Sequence, residues 1–132
     1  MNDEFKKIID NLITDEVLSL QNYKHHIYSN RLKHCLNVSY ASYKIAKKLN
    51  LDYISTARAA LLHDLYFYNR GEVKQHSRVH PMVSLHNARK YGLNSLEKTI
   101  IVKHMKFFNK KREVFLVQCV DKFCAVKEFL RI

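Results

Sequence analysis

Two glycines and one proline are all that interrupt 132 residues, so few positions can host the tight turns that a many-stranded β fold requires. The chain is therefore expected to be all-α, with long helices and short connections. Its apolar fraction of 47% can fill one compact core, and its length suits a single domain over residues 1–132. No run approaches the roughly 18 unbroken apolar residues of a membrane span. The charged opening "MNDEFKKIID" lacks the apolar stretch of a secretion signal. Three cysteines without CxxC spacing fit a reduced, cytoplasmic protein.

Apolar periodicity marks about six helices. The first covers residues 3–20 or so, with a break near Thr14. The second runs over about 30–49 with the stripe Val38, Ala41, Ile45, Leu49. A third starts from an Asp52 cap and reaches about Leu65. The fourth carries Pro81 in its first turn and closes before Gly92. Asn94 and Glu97 resemble a capping box for the fifth, at about 95–105. After the basic stretch 109–112, the last helix carries Val114, Val117, Cys124 and Val126.

Extending these stripes brings polar residues onto inward faces. His34 lies one turn before Val38, His63 follows Ala59 and Ala60, His104 follows Ile100 and Ile101, and Asp121 sits between Val117 and Cys124. Each alone reads as a core polar group satisfied by a backbone carbonyl. Four such groups in one core need mutual pairing, which a divalent metal cluster provides. The net charge of +11 points the same way, toward an anionic ligand, although it equally suits a solvated surface.

The order His34, His63–Asp64, His80, His104, Asp121 resembles the HD superfamily of metal-dependent phosphohydrolases. "RLKHCLNVSYASYKIAKKLNLDYISTARAALLHDLY" is similar to its first half, a histidine on a long helix followed by a helix ending in HD. "VHPMVSLHNARKYG" and "TIIVKHMKFF" are similar to segments bringing two further histidines, and "FLVQCVDKFCAV" to the last helix with its aspartate. The likeness covers about residues 25–128. It implies a compact HD-domain helical bundle and, with both extra histidines present, the binuclear subset. His34, His63, Asp64 and Asp121 would then hold one ion, with His80 and His104 joining Asp64 on a second. The glycine-tyrosine-proline signature of cyclic di-GMP phosphodiesterases is missing, and "HDLYFYN" stands where they carry HD-[IL]-G-K. The "HP" and "KH" segments look closer to the symmetrical dinucleoside tetraphosphate hydrolases.

By this resemblance the cofactor is a divalent transition metal, two ions, with iron or manganese favoured and zinc compatible with the same ligands. Two ions polarise a phosphate oxygen and activate water for in-line attack on phosphorus. The expected partner is a small phosphorylated substrate, a nucleotide first. No membrane is expected, nucleic acid is less favoured, and a homo-oligomer is compatible with the sequence. His63 and Asp64 count as catalytic as well as metal-ligating. Arg31, one turn before His34, and Lys122, beside Asp121, are candidate cations for the developing charge. Either also reads as a solvated surface charge, Lys122 above all.

His25 and His26 are expected to be exposed, with a role at the metal site as the alternative, His86 to be a surface group or a support behind the metal ligands, and His76 to help cover the site. Tyr66, Phe67 and Tyr68 suit either stacking on a base or packing beside the cluster. Two other readings remain open. One is a catalytically inert module binding nucleic acid or a protein partner. The other is a mononuclear nucleotidase in which His80 and His104 bind phosphate.

Overall fold

The computed structural model describes residues 1–25 and 28–131, and His26 lies outside them. Seven α-helices form among the described residues: α1 (Asp3–Ile9), α2 (Asp15–Leu18), α3 (Arg31–Lys48), α4 (Tyr53–Leu62), α5 (His76–Ala88), α6 (Ser95–Lys103) and α7 (Arg112–Leu130). Side chains explain most of their starts. Asn2, Thr14, Asn30 and Asp52 each accept a hydrogen bond from a backbone N–H three residues on. The Asn94–Glu97 capping box is complete, each side chain accepting from the other's backbone. The one sheet described is a minimal antiparallel pair, β1 (Lys24–His25) against β2 (Ser29–Asn30).

The fold is all-α, as the scarcity of turn-formers implies, with three local details. The first helical segment divides at the break expected near Thr14, which turns extended (φ −102°, ψ 168°) and spends its hydroxyl capping α2. The fourth begins at His76 rather than near Pro81, which leaves the proline inside α5. The turn ahead of it follows a left-handed Gln75 (φ 56°) and is held by a bond from His80 Nδ1 to the His76 carbonyl. Third, the inward face of α3 runs through Arg31, His34, Cys35, Val38, Ser42 and Ala46. Ile45 and Leu49, expected inside, are 40% and 49% exposed.

Small residues explain that rotation. Ser39, Ser42 and Ala46 let α3 lie close on α4, and Ser39 Oγ donates to the Ala57 carbonyl at 2.6 Å. Val126 is likewise exposed, since two residues beyond the buried Cys124 is about 200° round the helix. At the end of α5, a short 3-10 turn closes on Gly92, whose φ of 71° suits a residue without Cβ. One hydrophobic cluster joins Phe5, Leu12 and Leu20 to Leu61, Ile100 and Val117. It forms the floor on which the polar cluster is mounted.

Candidate metal centre

Five helices converge on one polar cluster. His34 comes from the first turn of α3, His63 is the C-cap of α4 with Asp64 just beyond it, His80 lies in α5, His104 is the C-cap of α6, and Asp121 lies midway along α7. All six are buried. The helix ends matter because the last turn leaves carbonyls without backbone partners. His63 Nδ1 folds back onto the Ala60 carbonyl at 2.5 Å, and His104 Nδ1 onto that of Ile101 at 2.7 Å. His80 Nδ1 donates to the His76 carbonyl at 2.8 Å, and His34 Nδ1 to Glu128 Oε1 at 2.8 Å. Each outward bond is satisfied by a proton on Nδ1 and turns Nε2 inward, the nitrogen whose lone pair a metal-ligating histidine offers once that atom is deprotonated.

Those lone pairs face acceptors. His34 Nε2 lies 2.8 Å and His63 Nε2 3.1 Å from Asp121 Oδ1. Asp64 divides its carboxylate: Oδ2 is 3.3 Å from His63 Nε2 and 3.9 Å from His34 Nε2. Its Oδ1 is 3.3 Å and 3.4 Å from the Nε2 atoms of His80 and His104. His80 and His104 approach each other Nε2 to Nε2 at 3.0 Å. Asp64 Oδ1 is buried yet makes no hydrogen bond. Lone pairs converging in this way, with a buried carboxylate oxygen unbonded, are reconciled by cations. The donor set of imidazoles and carboxylates fits divalent metal ions. Among the described residues three groups satisfy the geometry, His34–His63–Asp64–Asp121, Asp64–His80–His104 and His25–His34–Glu128, and the first two share Asp64.

Side-chain electrostatics favour positive charge in the first group. Burial alone would depress His63, but the Asp64 and Asp121 carboxylates outweigh it and raise its basicity well above the ordinary value. His34 is raised in the same sense against burial, by its bonds to Asp121 and Glu128. Asp64 and Asp121 are opposed by burial but held low chiefly by His63. His104 is lowered, because burial dominates there.

Arg31 departs from the expected cation at the site opening. It is 1% exposed, with Nη1 donating to the Tyr66 carbonyl at 2.6 Å and Nη2 to that of Tyr68 at 3.0 Å. Its guanidinium lies 3.6 Å from the centre of the Tyr66 ring and 4.7 Å from that of Tyr23. It therefore clamps the turn that follows His63–Asp64, an orientation set by the inward face of α3. Lys122 lines the cavity, but its ammonium bonds the carbonyls of Lys106, His104 and Gln118 at 2.9, 3.2 and 3.3 Å. Its charge thus serves the C-terminal end of α6.

His25 is buried rather than exposed, stacked on His34 with ring centres 3.8 Å apart. His76 stacks on His80 at 4.3 Å, and burial with the neighbouring His80 pulls its pKa down to about 4. His86 is exposed. Tyr66 packs beside the cluster with its ring centre 5.2 Å from that of His80.

Glu128 has no motif to announce it. Its one signal is that it follows Asp121 by seven residues, two helical turns along the same face of α7. The pair grips the two nitrogens of His34 from one helix. Glu128→Ala is expected to weaken metal binding by about 10- to 100-fold, with Glu128→Gln intermediate. Competition against a chelator of known affinity measures the loss, and unchanged affinity in both variants would remove Glu128 from the centre.

Over the cluster lies a cavity of about 200 Å³ bordered by Asp64, His76, His80, His104, Asp121 and the exposed Arg70. An all-α bundle that gathers imidazoles and carboxylates under a small cavity defines a metal-binding helical protein. The HD domain model matches residues 31–126, and the chain belongs to that family, a superfamily of metal-dependent phosphohydrolases. No curated protein and no solved structure gives a significant match.

Proposed function

We propose that this HD protein is a hydrolase cleaving a phosphate ester or anhydride of a nucleotide-like substrate at a two-ion centre. The observation that carries the reading is the division of Asp64, with one oxygen toward His34 and His63 and the other toward His80 and His104. In this reading His34, His63, Asp64 and Asp121 hold one ion, and Asp64, His80 and His104 hold the second. Iron or manganese is favoured, and zinc is compatible with the ligands. Such ions supply Lewis-acid polarisation of a phosphoryl oxygen and activation of the attacking water.

The chain's own residues do the rest. The four outward Nδ1 bonds keep the imidazoles in the ligating tautomer and orientation. Burial excludes bulk water from the carboxylates and strengthens their fields. Arg70, in a 3-10 turn at the cavity rim, replaces Arg31 as the cation facing incoming phosphate. A reduced, cytoplasmic setting belongs to the same proposal, on three cysteines without CxxC spacing. No helix among the described residues is long and apolar enough to cross a membrane.

Elemental analysis per chain, run beside His80→Ala, tests the reading. The expected result is about two transition-metal ions, falling to about one in the variant, with turnover in a phosphoester panel. One ion in both proteins would favour a mononuclear centre. No metal after anaerobic reconstitution would leave an inert module that binds through its positive surface.

A further inference from the structure

The cavity over the cluster, about 200 Å³, is bordered by the imidazoles and carboxylates that would hold metal, which suits the phosphoryl end of a substrate. The group attached to that phosphate extends away from them. A second depression of about 530 Å³ shares Ser77 and Met105 with the cavity wall, so the two adjoin. Its floor is apolar: Pro81 and Met82 from α5, Val102 from α6, and Phe107 from the loop after α6. Phe107 is 81% exposed and Met82 56% exposed, both unusual for large apolar side chains. The rim carries the exposed cations Arg78, Lys103 and Lys106, and no acidic residue lines the groove among the described residues. None of the three cations is in an ion pair within that set.

We infer that this groove is a subsite for the nucleobase end of the substrate, with the base stacking on Phe107 and further phosphate or ribose oxygens meeting Arg78, Lys103 and Lys106. The inference rests on the phosphohydrolase reading above. Three features select this occupant. A flat aromatic ligand uses an exposed aromatic face beside apolar neighbours. The cationic rim matches an anion attached to that ligand. Lys122 links the two compartments, since it lines the metal cavity while its ammonium lies 5.0 Å from the Phe107 ring centre. An acyl chain would use the floor but leave the rim cations without partners.

The test uses the full chain reconstituted with manganese and two non-hydrolysable probes, the α,β-methylene analogue of ADP and methylenediphosphonate, which keeps the phosphorus skeleton without the nucleoside. Calorimetric titration is expected to show that wild type binds the nucleoside probe at least fivefold more tightly. Phe107→Ala and Met82→Ala, both at exposed positions, should lose that preference while metal content and methylenediphosphonate affinity stay unchanged. Equal binding of both probes by wild type, or a preference that survives Phe107→Ala, would overturn the subsite and leave the metal centre standing. Tighter binding of dodecyl phosphate, lost in Phe107→Ala, would overturn the nucleobase in favour of an acyl chain. Failure of metal-loaded wild type to bind methylenediphosphonate at all would instead refute the phosphohydrolase reading on which the subsite depends.

Discussion

Asp64→Asn is expected to abolish metal-dependent hydrolysis, by about 10³-fold or more, and to strip the protein of both ions. The side chain keeps its shape, but one oxygen becomes an NH₂ group that cannot ligate, and the charge is gone. No other carboxylate in the cluster faces both histidine pairs: Asp121 lies at 2.8 and 3.1 Å from His34 and His63, while only Asp64 Oδ1 is beside His80 and His104. One substitution therefore removes the shared ligand of both groups. Metal content and phosphoester turnover are measured together, and helical circular dichroism in the presence of a chelator verifies that the variant still folds. A folded variant that kept two ions and full turnover would place the chemistry elsewhere.

The second large effect is on stability. Arg31→Ala is expected to cost about 3–5 kcal/mol, from one buried and one half-buried carbonyl losing their donors and the loss of guanidinium stacking on Tyr66 and Tyr23. For a chain of this size that lowers the melting temperature by on the order of 10 °C or more. Arg31→Lys should recover only part of the loss, because an ammonium cannot reproduce the planar fork that reaches Tyr66 and Tyr68 together. Thermal unfolding of both variants in excess chelator isolates the effect from metal binding. A melting temperature unchanged within a degree or two, with hydrolysis sharply reduced, would return Arg31 to the role of a substrate cation.

Arg31 and Lys122 also show where a linear reading runs out. Spacing put Arg31 on the face of His34, and that is where it lies. Helical periodicity has nothing to say about what the guanidinium then meets, and here it meets two carbonyls of a turn more than thirty residues away in sequence. Lys122 is likewise next to Asp121, yet its donors close the end of α6. The same limit hid Glu128 and His25. Glu128 sits 94 residues from the imidazole it holds, and the burial of His25 depends on α3 and α7 closing over the β1 strand.

Pro81 failed for a different reason. Proline suits a first helical turn, but a turn built from His76 to His80 and held by a side-chain bond precedes it.

What the order of residues determined by itself was local and chemical. Sparse glycine and proline dictate helices, because few positions permit the backbone to reverse. Capping side chains mark five helix starts, because an Asn, Thr or Asp side chain satisfies an amide three residues on wherever the rest of the chain goes. Four of the candidate metal ligands, His34, His63, His104 and Asp121, were also legible, since they stand on apolar stripes where an unpaired polar group is costly, whereas Asp64 and His80 came from the HD resemblance. Only the tertiary structure decided which nitrogen of each imidazole faces inward, how Asp64 divides its two oxygens, and which cations are spent inside the fold. Those outcomes depend on carbonyls and carboxylates delivered by other helices, and contacts of that range are set by packing rather than by spacing along the chain.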